Sequence, residues 1–361
     1  MSRVLLVGKG APDRGGIPTF LEGLRSGQLG QRHEIGFLNV AHTGTPEGGR
    51  VTWGNLRRTL LDSWRLLRRA RGYDVVHINS ALAPTATVLR AGLLTVAGRL
   101  AGCPVVVHAH GGNIESYLKA PQARPIMRVA MAPASLVVAC WSAGHEALAT
   151  ALAPDLVRLV LNGVDSERIV PGGDRPHDPP RLLYVGLLTP RKGVLDLIQA
   201  SHELQAEGVV HELRLLGGTP DEGPEAAEPV LAAAHGRATL LGTRTPEEMP
   251  REYAAADVFC LPSWWEAMPL SVLEAMAAGL PVVATDVGDV NRIVVEGETG
   301  FVVPTQSPDL LAQALRKLLT DSVAAQRMGR SARRRVQERF SSAATAEAID
   351  DIYAQVLERR R

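Results

Sequence analysis

The stretch PSWWEAMPLSVLEAMAAGLPVVATDVGD, residues 262–289, runs a short loop, an apolar helix and a buried strand into one another. The loop carries Glu266. A helix expected to start near Met268 carries Glu274, eight positions further on, and the aliphatic run at 281–285 reads as the strand. Glu274 has Leu273, Ala275 and Met276 as neighbours. A carboxylate in such surroundings is costly unless hydrogen-bonded. Its partner is either a ligand offering two hydroxyls, as a ribose does, or a side chain of the protein such as an arginine. Free N–H groups at the helix start attract phosphate. Glu266, just before that start, is placed to bond sugar hydroxyls.

The same alternation of strand and helix extends outward through the chain. In the first half, strands are expected at 3–8, 34–39, 75–79, 105–110, 136–140 and 157–161. Helices are expected at 17–27, 55–70, 86–100, 125–132 and 143–151. In the second half, strands are expected at 182–187, 212–216, 238–241, 258–261, 282–284 and 301–303. Helices lie between them, and two more end the chain at 323–339 and 343–361. The strands are continuous Val/Leu/Ile runs, which implies parallel sheets covered on both faces. Residues 171–181, PGGDRPHDPPR, hold four prolines and two glycines and read as a linker. The fold class is therefore α/β: two doubly wound, Rossmann-like domains, 1–170 and 182–342, facing a shared cleft. Ligands of such sheets bind beyond the carboxyl ends of the strands.

Composition narrows the function. The chain has 361 residues, 45% hydrophobic and 21% charged, which suits two globular domains. A formal net charge of +1 gives no reason to expect nucleic acid. Cys103, Cys140 and Cys260 are odd in number and far apart, so neither a disulfide framework nor a metal-spaced cluster is expected, and a reducing, cytoplasmic setting is. The N-terminal apolar run is too short for a signal peptide, and Arg90 and Arg99 interrupt the longest apolar stretch, so no transmembrane helix is expected.

Four further stretches bear on chemistry. After the first strand, GKGAPDRGG places Asp13 where a dinucleotide fingerprint needs its third glycine, so that signal fails. Gly15-Gly16 remain before a helix, readable equally as a turn or as a phosphate loop. VVVHAHGG ends on His110, at the carboxyl edge of a strand, where a ligand would lie. His108 and His110 are expected on opposite faces, and Glu115 is either a substrate contact or a helix-start acid. GLLTPRKG, residues 186–193, sets Arg191 and Lys192 before a helix start. Cations there oppose the helix dipole, which favours an anion site suited to a diphosphate. Residues 55–71 place Leu56, Leu60, Trp64 and Leu67 on one face and six arginines on the other, either an ordinary surface helix or one drawn to anionic lipid.

These motifs, in this order and spacing, resemble the retaining glycosyltransferase family 4 of the GT-B fold. Gly15-Gly16, His110-Gly111, NGVD at 162–165, RKG at 191–193, ADVFCLPS at 256–263 and Glu266-x7-Glu274 carry the resemblance, which covers nearly the whole chain. It implies a hexose moved from a nucleotide diphosphate sugar to an acceptor hydroxyl with retained configuration, and no divalent metal or other cofactor. It also implies that the last helix packs back toward the first domain. Glu274 would hold the ribose and Glu266 the donor sugar. Met268, Pro269 and Leu270 amides, with Arg191 and Lys192, would hold the diphosphate. Gly15 and Gly16 would approach it from the other domain, and His110 would lie near the anomeric carbon as the second catalytic residue. The acceptor would be a glycan, a lipid-linked compound or a small molecule, with membrane contact through 55–71 on the cytoplasmic face. Two departures stand out: Leu187 where the family usually has arginine, and Asp289 and Arg292 in place of a Gly-Gly-x-x-Glu pattern. They keep open an inactive sugar-nucleotide-binding subunit of a glycan assembly complex; a sugar-nucleotide epimerase is the rival enzyme.

Overall fold

Aliphatic runs bounded by Gly, Pro or Asn form twelve strands among the described residues. In the first half these are β1 (Arg3–Gly8), β2 (Glu34–Asn39), β3 (Val75–Ser80), β4 (Val105–Ala109), β5 (Leu136–Ala139) and β6 (Val157–Leu159). In the second they are β7 (Arg181–Val185), β8 (Glu212–Leu216), β9 (Thr239–Gly242), β10 (Val258–Leu261), β11 (Val282–Thr285) and β12 (Gly300–Val303). The structure, a computed structural model, describes residues 1–11, 13, 15–41, 52–111, 113–173, 176–219 and 224–360.

Every strand pairs in parallel, in two sheets ordered β2-β1-β3-β4-β5-β6 and β12-β11-β10-β7-β8-β9. Helices cover both faces, so central strands bury consecutive residues: Val4, Leu5, Leu6 and Val7 are all inaccessible to solvent. In the first sheet the chain moves outward from β1 to β2 and returns to the other side of β1 with β3. In the second it moves from β7 through β9 and returns beside β7 with β10. Each sheet therefore has one switch point, β1/β3 and β7/β10, where successive crossovers diverge and leave a crevice beyond the strand ends.

The two compact units are Met1–Asn162 together with Ser342–Arg361, and Gly163–Ser341. Residues 163–170, expected to close the first domain, thus belong to the second. So does the proline-rich stretch read as a linker: the Asp257 carboxylate accepts from the backbone N–H groups of His177 (3.1 Å) and Arg181 (2.7 Å), fixing the segment to its own unit. The helix Ser342–Glu358 packs on the first unit through Ile349, Ile352, Tyr353 and Val356, all buried. Its Tyr353 hydroxyl lies 2.7 Å from His77 Nδ1 in β3, and Asp350 lies 2.9 Å from His33 Nε2.

Because His77 is fully buried, Tyr353→Phe leaves a ring nitrogen without a partner. It is expected to cost about 1–3 kcal/mol of unfolding free energy, checked by urea denaturation; unchanged stability contradicts this role for the helix.

Candidate functional site

In the second unit, the loops after β7 and β10 meet at the switch point. Lys192 Nζ lies 2.5 Å from Glu266 Oε1, with side chains only 17% and 12% exposed. The Ser263 hydroxyl donates to the same oxygen at 2.7 Å. The backbone holds this pair in register. Gly193 has φ 67°, and a Cβ there would collide with the carbonyl oxygen of Pro262; only glycine allows the two loops to touch. Trp264 N–H donates to the Arg191 carbonyl at 3.0 Å, and its indole N–H donates to Asp196 at 2.7 Å, in the first turn of the helix Val194–Ala206. From β11, Thr285 Oγ1 donates to the Ser263 carbonyl, and Asp289 N–H donates to the Ala267 carbonyl at 2.9 Å. The Arg191 side chain is exposed and makes no hydrogen bond or ion pair among the described residues.

The helix expected near Met268 begins at Leu270, with Pro269 as its N-cap in extended conformation. Proline has no N–H, so Pro269 cannot serve as an amide donor to phosphate. Helix geometry instead leaves the N–H groups of Leu270, Ser271 and Val272 without intrahelical acceptors. They open beside the Lys192–Glu266 pair in sequence, on the same loop.

Glu274 finds its partner within the protein, and the partner is a tyrosine. The Tyr253 hydroxyl, from the helix Met249–Ala254, donates to Oε2 at 2.7 Å. Burial pushes the Glu274 carboxyl up to about 7, against the opposing effect of that hydrogen bond. Glu274 as a whole residue is only half-buried, and one hydroxyl engages only one of its two carboxyl oxygens, leaving acceptor capacity for a ligand.

In the first unit, Gly15 caps the helix Gly16–Ser26 with φ 122°, and a Cβ at either glycine would meet no atom within 4 Å. The conformation requires glycine at 15; the space above the helix start is open at both. His110 follows β4, at the edge of the β1/β3 switch. Its Nε2–H donates to Asn79 Oδ1 at 2.8 Å. His108 and His110 were expected on opposite faces, but residues two apart on a strand share one. Their rings stack 4.2 Å apart, and Phe20 of the glycine-capped helix lies 4.5 Å from His110. His77 Nε2 is 3.3 Å from His108 Nδ1, completing a buried imidazole row. Burial, reinforced by His77, lowers His110 to about 3; burial alone brings His77 to about 3, and burial with His110 and His77 depresses His108 as well. Glu115 accepts from the Trp141 indole N–H at 2.5 Å through Oε1, while its buried Oε2 has no partner among the described residues.

The predicted residues fall into two groups. Arg191, Lys192, Glu266, Met268, Pro269, Leu270 and Glu274 lie at one end of the second sheet; Gly15, Gly16 and His110 lie at one end of the first. Asn79, Ser263, Tyr253 and Trp141 were not singled out from sequence. Asn79 was detectable: it is a polar residue in the buried run VVHINS, at a strand's carboxyl end.

The model described as Glycosyltransferase Family 4 matches residues 14–168, and that described as Glycosyl transferases group 1 matches residues 179–321. Alpha-maltose-1-phosphate synthase of Mycobacterium tuberculosis is 31% identical over 321 residues, 78% of this chain and 82% of that protein. D-inositol 3-phosphate glycosyltransferase of Corynebacterium efficiens is 36% identical over 219 residues, where the match spans 56% of this chain and about half (51%) of that protein. Among solved structures, sucrose-phosphate synthase of Thermosynechococcus elongatus superposes with a TM-score of 0.78 at 23% identity, covering 99% of this chain and all (100%) of that one. HepE of Anabaena in complex with UDP-glucose superposes with a TM-score of 0.76 at 19% identity, covering 98% and 100%. These two likenesses concern the fold.

The histidine row gives a pH prediction. Each imidazole titrates below the value it regains on unfolding, so between about pH 3 and 6.5 the unfolded chain binds more protons. Stability from this cluster is full above about pH 6.5 and falls as pH drops. Side-chain nitrogen NMR should find His77, His108 and His110 still neutral at about pH 5; imidazolium signals there contradict the assignment.

Proposed function

The chain belongs to glycosyltransferase family 4, and on that premise we propose that it is a retaining hexosyltransferase. It moves a hexose from a nucleotide diphosphate sugar to an acceptor hydroxyl in bacterial polysaccharide or glycolipid assembly. The observation that carries this reading is the convergence at the β7/β10 switch of the Lys192–Glu266 pair, the Arg191 cation and the helix start at Leu270.

In the reaction, the bond between the anomeric carbon and the phosphate oxygen breaks and its electron pair leaves with the diphosphate. Arg191, Lys192 and the amides of Leu270, Ser271 and Val272 stabilise that developing negative charge. The acceptor oxygen attacks from the face the phosphate leaves, and its proton passes to the departing phosphate oxygen. Glu266, held by Lys192 and Ser263, positions the sugar. Its role differs from that in a glycosidase, where two carboxyls flank the bond as acid and nucleophile or base. Arg191 carries the larger share of phosphate charge, because Lys192 is already paired and Leu187 offers none. With those cations in place the reaction requires no divalent ion, and activity is expected to persist in EDTA.

Glu274 binds the ribose through the oxygen that Tyr253 leaves available. His110, neutral and fixed by Asn79, lies near the anomeric carbon, and Gly15-Gly16 admit the diphosphate closely. Glu115 Oε2 offers an acceptor hydroxyl the partner it lacks. The acceptor is a glycan, a lipid-linked compound or a small molecule, and residues 55–71 supply contact with a membrane surface. The family match and the relatives favour neither the epimerase nor the inactive-subunit reading.

The test joins titration to affinity. Ribose hydroxyls donate to the ionised carboxylate, so binding draws a proton off Glu274 and affinity rises as pH climbs through about 7. Calorimetry with UDP or another nucleoside diphosphate should show that rise. In Glu274→Gln it should vanish, with affinity lower by about ten-fold or more. A pH-independent affinity in the unmodified protein rules out the ribose role. Arg191→Ala is expected to lower kcat/KM by about a hundred-fold, read from sugar release or transfer.

A further inference from the structure

We infer that the helices Trp53–Ala70 and Thr85–Leu100 form one surface that lies in the headgroup region of an anionic bilayer. This deepens the membrane-contact reading of residues 55–71 and does not depend on the donor chemistry.

The first helix gathers Leu56, Leu60, Trp64 and Leu67 on one face, which an ordinary surface helix would turn toward the core. The opposite holds. The side chains it buries are Thr59, Asp62, Leu66 and Ala70, while Trp53 is 80% exposed, Leu60 53% and Trp64 54%. The cause is Asp62. It is wholly buried and held by Arg90 of the second helix at 2.7 Å and by Arg65 at 3.3 Å. That ion pair fixes which face looks inward, and the apolar stripe is left outside.

The second helix repeats the arrangement. Leu89, Val96 and Leu100 stand 45%, 42% and 72% exposed along one side. Both helices connect strands that advance in one direction, β2 to β3 and β3 to β4. Right-handed crossovers therefore place them side by side on the same sheet face. Of the sixteen large apolar side chains that stand exposed among the described residues, nine lie on these two helices. Scattered singly, such residues mean little; gathered on one face, they mark an interaction surface.

Charge selects the occupant. The two helices with Arg71 carry eight arginines and one acidic residue, in a chain whose formal net charge is +1. The one acid, Asp62, is already turned inward. A second copy of this chain would bring arginines against arginines. An anionic bilayer matches both features: tryptophan and leucine enter the acyl boundary while arginines extend to lipid phosphates. No described helix is long and apolar enough to cross the membrane, so the surface lies on it.

The test is co-sedimentation of the full chain with vesicles of phosphatidylcholine alone or with about one-third phosphatidylglycerol. Partition should rise by about ten-fold or more with the anionic lipid and fall with salt. Trp53→Glu with Trp64→Glu, and separately Leu89→Glu with Val96→Glu, should each lower it by about ten-fold. Arg57→Gln and Arg68→Gln should each lower it by about five-fold. Unchanged thermal unfolding of each variant shows that the fold is intact, and vesicle binding needs no donor sugar, so its failure is separable from failure of the transferase reading. Equal partition onto neutral and anionic vesicles, no partition, or full partition by either glutamate pair overturns the inference. So does a dimer in sedimentation velocity that these substitutions abolish while no vesicle binding is seen.

Discussion

An ammonium and a carboxylate 2.5 Å apart, contributed by residues separated by 74 positions, constrain the second unit more than any other contact. Neither charge can be left alone where it sits, because both side chains are mostly buried. The pair forms only if β10 returns beside β7, if the loop at Gly193 can lie against Pro262, and if β11 holds the Ser263 carbonyl from below. Strand order, glycine placement and the short Thr285 bond thus answer to one electrostatic demand. The same geometry leaves the Arg191 side chain beside the pair with no hydrogen bond or ion pair among the described residues.

The first unit solves its edge with neutral chemistry. Three imidazoles, an amide and a phenol are linked ring to ring, and burial keeps the imidazoles uncharged. A neutral His110 with Nε2–H committed to Asn79 has its other nitrogen available as an acceptor. The charged cluster of Arg191, Lys192 and Glu266 and the uncharged row of His77, His108 and His110 therefore belong to different sheets.

Much of this architecture is legible in the sequence. Parallel strands covered on both faces are short aliphatic runs, and all twelve strands stand where such runs were read, their length and flanking turn residues separating them from apolar helices. The candidate residues were chosen by position: Arg191, Glu266 and His110 each follow a strand at its carboxyl end. What escaped was pairing. Lys192 and Glu266 were assigned separate duties, and Glu274 was offered an arginine or a ribose when Tyr253 stood ready. Long-range side-chain partners leave no periodicity to read. At residues 53–70 the apolar stripe leaves an ordinary surface helix and a lipid-facing one both open, and a single buried ion pair with Arg90, on another helix, decides which face is inside. The misplacement of His108 relative to His110 was of another kind, a parity error that the two-residue repeat of a strand corrects.

The chain passes from one unit to the other twice, at 162/163 and at 341/342, so the second unit is an insertion within the first. During synthesis, β1 to β6 are complete long before the helix Ser342–Glu358 exists. Until that helix emerges, His77 lacks its phenol and the face that receives Ile349, Ile352 and Val356 stays uncovered. The second unit can close on its own residues while the first must wait, holding a nearly finished sheet open for about half the time of translation. Completion of the first unit thereby waits for the helix Ser342–Glu358, which is made only after the whole of the inserted second unit.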